Sequence, residues 1–231
     1  MRLRLAVVCC LLIFGLTLVQ AALPADMWEA EMRRFDALDR KRPTAAGGVV
    51  FVGSSSIRLW DLEESFPKAE ALNRGFGGSE LADSVRYLDR LVLRHEPRVV
   101  VLYAGDNDIA RGKTPEQVNK DFEAFIAAVR KDLPETKIVY IAIKPSIARW
   151  KLAETMQKAN AEIAATCAKH KNCEFVDVWP AMLKADGLPN EDLFVWDGLH
   201  MSDAGYEVWS KLVAPQIGEP GATPVSEKTG N

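Results

Sequence analysis

Gly48-Val49-Val50-Phe51-Val52-Gly53-Ser54-Ser55-Ser56-Ile57-Arg58 is the stretch that decides the fold. Four apolar residues run without a polar interruption, a glycine follows, and three serines stand at the head of a helical pattern. An unalternating apolar run of this length reads as a strand buried on both faces. A small residue at its end lets the chain reverse sharply into a helix.

Working outward, comparable runs recur at 71–72, 98–103, 138–143 and 174–178, and three of the five runs are rich in Val and Ile. The stretches between them carry helical spacing. Leu81, Val85, Leu88 and Leu91/Val92 share one face, and Phe122, Phe125, Ile126 and Val129 make a second stripe. Thr114-Pro115-Glu116 reads as a helix start, with Thr as cap and Pro at the first position. A longer helix is expected over 152–170, and Ser202 opens a last one that turns Val208, Trp209 and Leu212 inward. Strands alternating with helices imply right-handed crossovers. The expected fold is α/β, a three-layer α/β/α sandwich on a five-stranded parallel sheet of flavodoxin-like type. No second core, linker or internal repeat is visible.

The 231 residues suit one such domain, with 48% apolar and 26% charged residues and a net charge of -3. No Lys/Arg-rich block suggests a nucleic-acid partner. Arg2 and Arg4 precede an apolar run from Leu5 to Val19, and Val19-Gln20-Ala21 offers small residues for a signal peptidase. The expected organisation is a signal peptide at 1–21, one folded domain at 22–218 and a Pro/Gly/Ser/Thr-rich flexible tail at 219–231. The run is short for a membrane span, so the mature chain is expected in the periplasm or outside the cell, without stable membrane insertion. An uncleaved N-terminal anchor is the alternative. Cleavage removes Cys9 and Cys10 and leaves Cys167 and Cys173, a pair that an oxidising compartment permits to form a disulfide.

In a parallel α/β sheet the ligand site lies outside the carboxyl ends of the strands, so the loops there carry the functional reading. The first serine cluster sits at a helix N-terminus, where free N–H groups and the helix dipole favour a developing negative charge. A plain serine cap is the structural alternative. Asn73-Arg74-Gly75-Phe76-Gly77-Gly78-Ser79 lets backbone N–H groups approach a ligand closely. It lacks the Lys-Ser/Thr ending of a phosphate loop and the glycine spacing of a dinucleotide site. Gly105-Asp106-Asn107-Asp108 offers an Asn amide to an oxyanion. Asp106 and Asp108 also suggest a metal, but no His or Glu cluster accompanies them. Of three histidines, His95 reads as solvated between Arg94 and Glu96, and His170 as surface beside Lys169 and Lys171. His200 lies in a loop just before the last helix. Asp197, three residues earlier, can fold back on the imidazole and fix its tautomer.

Taken together, these four blocks resemble those of the SGNH hydrolases, the GDSL lipase/esterase family, with spacing similar to its platelet-activating-factor acetylhydrolase-like branch. The resemblance rests on Gly53-Ser54-Ser55, Gly77-Gly78, Gly105-x-Asn107-Asp108 and Asp197-x-x-His200, and runs from about Val49 to the last helix. It implies Ser55 as nucleophile, His200 as general base and then acid, and Asp197 as its orienting carboxylate. It further implies an oxyanion hole from the backbone N–H of Ser55 and Gly78 and the side chain of Asn107. The family usually has Asp where this chain has Ser54, so Ser56 stands as second choice for the nucleophile. The implied activity is hydrolysis of small or short-chain esters, with acetylated carbohydrates and lysophospholipids among the candidates and no cofactor or metal. Lys144, Pro145, Ser146, Arg149 and Trp150, after the fourth strand, are candidate substrate-binding residues. Two rival classes are a non-catalytic carbohydrate-binding module on the same fold and a flavodoxin-like nucleotide or flavin binder.

Overall fold

A computed structural model describes residues 26–218. The expected signal peptide at 1–21 and tail at 219–231 lie outside the described residues. No described helix is long and apolar enough to cross a membrane.

The elements run α1 (Glu29–Lys41), β1 (Val49–Gly53), α2 (Ser55–Arg58), α3 (Leu62–Ser65), β2 (Ala71–Gly75), α4 (Leu81–Arg86), α5 (Leu88–Leu91), β3 (Val99–Tyr103), α6 (Asp106–Ala110), α7 (Pro115–Asp132), β4 (Lys137–Ile141), α8 (Ala153–Cys167), β5 (Cys173–Val176) and α9 (Asp203–Ile217). All strand pairings are parallel, in the order β2-β1-β3-β4-β5. The chain therefore starts in the sheet interior, steps out to β2 and returns to the other side of β1 for β3. That reversal opens a crevice beyond the carboxyl ends of β1 and β3, where such sheets bind ligands.

The strands lack polar alternation because both faces are covered. Val50, Val52, Val100, Leu102, Ile138 and Tyr140 pack with α1, α4, α5, α7 and α8. Val49, Phe51, Val101, Tyr103, Val139 and Ile141 pack on the other face with α2, α3 and α9. Thr114 caps α7 in a capping box with Gln117, and Ser202 caps α9 through Gly205 N–H. Trp209 of α9 is fully buried, while Val208 and Leu212 are half-buried at the margin of that core.

Several expectations needed correction. β2 is longer than 71–72, because Asn73 and Arg74 are polar yet partnered. The Asn73 amide donates to Ile57 O at 2.7 Å and Trp60 O at 3.1 Å, and buried Arg74 pairs with Asp39 and lies over the Phe35 ring. The apolar face from Leu81 to Val92 is broken at Tyr87, which separates α4 from α5. His95 is buried, its Nδ1 2.9 Å from Thr44 Oγ1, because its charged neighbours turn outward on a single 3-10 turn. Cys167 and Cys173, whose pairing the sequence left open, are both buried and stand as free thiols in this structure.

Candidate active site

The turn after β1 is built around Gly53. Its φ is +137°, and a Cβ there would stand 1.9 Å from the carbonyl oxygen of Tyr103 on β3. Only glycine lets the chain leave β1 so close to its neighbour. Ser54 N–H donates to that same carbonyl at 3.1 Å, and α2 begins at Ser55. Of the three serines, Ser54 and Ser56 are buried and Ser55 alone is half-exposed. As the first residue of α2, Ser55 has a backbone N–H with no intrahelical partner.

Its hydroxyl meets the last loop. Ser55 Oγ lies 3.0 Å from His200 Nε2, and His200 Nδ1 lies 2.6 Å from Asp197 Oδ2. The loop is folded to make this possible. Val195 N–H donates to His200 O, Gly198 N–H to Val195 O, and Gly198 takes φ +64°. Asp197 Oδ1 accepts from the backbone N–H of Leu199 at 2.8 Å and of His200 at 2.9 Å. Partial burial works against the charged carboxyl. The imidazole and the two backbone donors prevail and hold its pKa at about 2. An ionised Asp197 can only accept, so the imidazole keeps its proton on Nδ1 and donates it as a hydrogen bond, which leaves Nε2 as an acceptor facing the Ser55 hydroxyl.

The other two glycine and Asn loops converge on the same edge. Gly78 has φ +79°, with the Trp28 ring 3.6 Å from where a Cβ would sit. The Asn107 amide donates from Nδ2 to Ser79 O at 2.9 Å and accepts at Oδ1 from Arg149 Nη2 at 2.9 Å. One Nδ2 hydrogen remains available. Asp106 Oδ1 accepts from Asn107 N–H, and its Oδ2 is in ion-pair contact with Arg149 at 2.9 Å. Asp108 is buried, accepts from Leu81 N–H and pairs with Lys113 at 2.8 Å. Burial, the largest influence, pushes its carboxyl above the usual range despite that lysine. Both carboxylates are thus spent on cations of the chain itself.

Of the candidate substrate-binding residues after β4, Lys144, Pro145 and Ser146 are buried and Arg149 and Trp150 are half-buried. Lys144 is only 1% exposed, 3.1 Å from Tyr103 OH, 3.3 Å from Ser56 Oγ and 3.6 Å from Asp106 Oδ2, so it cannot touch a ligand. Ser146 is likewise buried. Trp150 is half-buried and stacks on Trp179. Arg149 does reach the site, but through Asn107. Three features carried no sequence signal. Trp28 stands beside Gly78 from the start of α1. Ala148 N–H donates to Gly198 O at 3.0 Å, which ties the loop after β4 to the His200 loop. Trp196 is 96% exposed, one residue before Asp197. A groove of about 810 Å³ borders His200 and includes Leu59, Trp60, Val195 and Tyr206. A second cavity of about 710 Å³ follows the free edge of β2 and touches neither Ser55 nor His200.

Comparison with known proteins agrees with this architecture. The family model described as GDSL-like lipase/acylhydrolase matches residues 56–208. The alpha1 subunit of platelet-activating factor acetylhydrolase IB from Pongo abelii is 31% identical over 167 residues, covering 68% of this chain and 70% of that protein. A GDSL-like lipase from Bacteroides thetaiotaomicron has a similar fold, with TM-score 0.70 at 20% identity over 81% of this chain and 97% of that one. So does an acetylxylan esterase from Geobacillus stearothermophilus, with TM-score 0.63 at 15% identity over 76% and 95%.

Proposed function

This chain belongs to the GDSL-like lipase/acylhydrolase family and is a carboxylic ester hydrolase, and from that premise we propose that it cleaves short-chain esters, acetyl esters of carbohydrates foremost, by acyl transfer through Ser55. The observation that carries the proposal is the unbroken chain Ser55 Oγ–His200 Nε2, His200 Nδ1–Asp197 Oδ2 at 3.0 and 2.6 Å.

His200 Nε2 takes the hydroxyl proton as Ser55 Oγ bonds to the ester carbonyl carbon. The negative charge that develops on the carbonyl oxygen meets the N–H of Ser55, the N–H of Gly78 and the free Nδ2 hydrogen of Asn107. Collapse of this intermediate breaks the bond to the alcohol oxygen, and His200 returns the proton to the departing alcohol. Water then attacks the acyl-serine with His200 again as base, and the acid leaves with Ser55 restored. No step needs a metal or an organic cofactor.

The short acyl preference is supported by Trp28, whose ring stands 3.6 Å from where a Cβ on Gly78 would sit and narrows the space beside the oxyanion donor. The preference for a carbohydrate alcohol is supported by Trp196, whose exposed indole next to Asp197 offers a flat face to the C–H side of a sugar ring. Export to the periplasm or medium is part of the proposal and is supported by the positive start and apolar run of residues 1–21. The N-terminal sequence of the mature protein tests it.

The deciding experiment compares 4-nitrophenyl acetate, butyrate and octanoate with acetylated xylo-oligosaccharides and lysophospholipids, each against a Ser55→Ala control. Turnover that falls with acyl length and is highest on the acetylated sugars is the expected result. A preference for octanoate or for the lysophospholipid would reverse the substrate reading.

A further inference from the structure

Arg149 and Asn107 arrive from different strands, β4 and β3, and meet at the edge that holds Ser55. We infer that Arg149 is a positioning residue of the oxyanion hole: it locks the Asn107 amide with a free Nδ2–H toward the reacting carbonyl and makes no contact with substrate. The inference rests on the assignment of Asn107 as an oxyanion donor and adds the device that orients it.

An Asn side chain has two nearly isosteric ends of opposite polarity, and neighbours decide which faces where. Here the two neighbours agree. A guanidinium N–H can only donate, so the atom 2.9 Å from Arg149 Nη2 is the amide oxygen. The Ser79 carbonyl can only accept, so the atom 2.9 Å from it is the amide nitrogen. Without Arg149 the oxygen of an amide that is 8% exposed loses its donor. A rotated amide would present a partial negative charge where the ester oxygen becomes negative, which reverses the sign of the interaction.

Arg149 is in turn fixed. Its Nη1 is in ion-pair contact with Asp106 Oδ2 at 2.9 Å, outside hydrogen-bond geometry, while Nη2 donates to Asn107 Oδ1, so the charge is anchored by one residue and the donor spent on the next. Asp106 also accepts the Asn107 backbone N–H through its other oxygen and faces the buried Lys144 ammonium at 3.6 Å. A lysine at 149 is a compact point charge and cannot keep a planar N–H on Asn107 Oδ1 while its charge faces Asp106. The cation also polarises the amide through its carbonyl, which strengthens the remaining N–H as a donor.

The test is a double-mutant cycle on 4-nitrophenyl acetate with Asn107→Ala, Arg149→Ala, Arg149→Lys and the double Ala variant. Asn107→Ala is expected to lower kcat by about 10²–10³-fold, as loss of one oxyanion donor does. Arg149→Ala is expected to lower kcat by at least about tenfold with KM within about twofold, and Arg149→Lys to recover only part. In the Asn107→Ala background, Arg149→Ala should change kcat by less than about twofold, because the pathway it acts through is gone. Added guanidinium should raise the rate of Arg149→Ala and leave Asn107→Ala unmoved. If Arg149→Ala does not fold, the same cycle with Arg149→Lys decides. A rise in KM at constant kcat, or losses that multiply in the double variant, would make Arg149 a substrate contact and overturn the inference. A large loss in Asn107→Ala with Arg149→Ala fully active overturns this inference alone. Full activity in Asn107→Ala overturns the oxyanion assignment along with it.

Discussion

Ser55 Oγ and His200 Nε2 stand 3.0 Å apart although 145 residues separate them. Ser56, one step further into α2, instead points its hydroxyl at the buried Lys144 ammonium. The two serines therefore differ in what they can do. Ser55→Ala is expected to abolish both ester turnover and labelling by a fluorophosphonate while leaving the circular-dichroism spectrum unchanged. Ser56→Ala is expected to keep the label on Ser55, identified by peptide mass spectrometry. Labelling that survives Ser55→Ala would assign the nucleophile elsewhere.

Asp197 is expected to affect both turnover and acid stability. In Asp197→Asn the backbone donors of Leu199 and His200 still find an oxygen. The amide N–H then faces Nδ1 and forces the proton onto Nε2, so the imidazole cannot accept from Ser55. A loss in kcat of up to about 10⁴-fold is expected. The carboxyl titrates at about 2 in the fold against 3.8 ordinarily. Between those values the unfolded chain binds more protons, so the stabilisation is fully present above about pH 4 and disappears as pH falls towards 2. The Tm gap between parent and Asp197→Asn should be constant from pH 5 to 7 and close below pH 4. A gap that widens on acidification would contradict the assigned ion pair.

Gly53 is the position where the fold leaves no latitude. A methyl group would meet the Tyr103 carbonyl oxygen at 1.9 Å and its carbon at 2.8 Å, at a φ of +137°. Backbone cannot swing aside as a side chain does, because Tyr103 is held in register with Gly53 across the sheet. Strain and overpacking together should cost about 3 kcal/mol. Differential scanning calorimetry of Gly53→Ala should show a fall of roughly 6–12 °C in Tm. A change under about 2 °C would mean that the turn can relax.

What the sequence disclosed follows from which contacts are local. β1, β3 and β4 were legible because strands covered on both faces need no polar alternation. β2 was half legible, since Asn73 and Arg74 owe their places to Trp60 and Asp39, which no periodicity reveals. α1 gave almost no signal, because only Met32 and Phe35 of its thirteen residues are buried. Asp197 and His200 were readable because their pairing spans three residues. The role of Lys144 was not, because whether a lysine after a strand turns outward or inward depends on Tyr103 and Asp106 from another loop. Trp28 lies fifty residues before the glycine it flanks, and nothing near it in the chain announces the contact.

Lys144 offers the last test, because burial and substrate contact predict different outcomes. Its ammonium is 1% exposed, lies over the Tyr103 ring and has Asp106 at 3.6 Å. Burial pushes its pKa below the ordinary lysine value, and Asp106 pulls the other way. Lys144→Met keeps the unbranched shape and removes the desolvated charge, while Asp106 retains Arg149 at 2.9 Å. Tyr103 OH and Ser56 Oγ each lose a partner, at about 1 kcal/mol apiece, against relief of the buried charge. The urea midpoint at pH 7 should correspond to a stability within about 2 kcal/mol of the parent. In the parent the lowered pKa makes the unfolded chain bind more protons as pH climbs towards 10.5, so stability should rise relative to Lys144→Met over that range. KM for 4-nitrophenyl acetate should stay within about twofold, since the side chain does not reach the ester. A large KM increase, with no change in the pH dependence of unfolding, would return Lys144 to the substrate-binding residues.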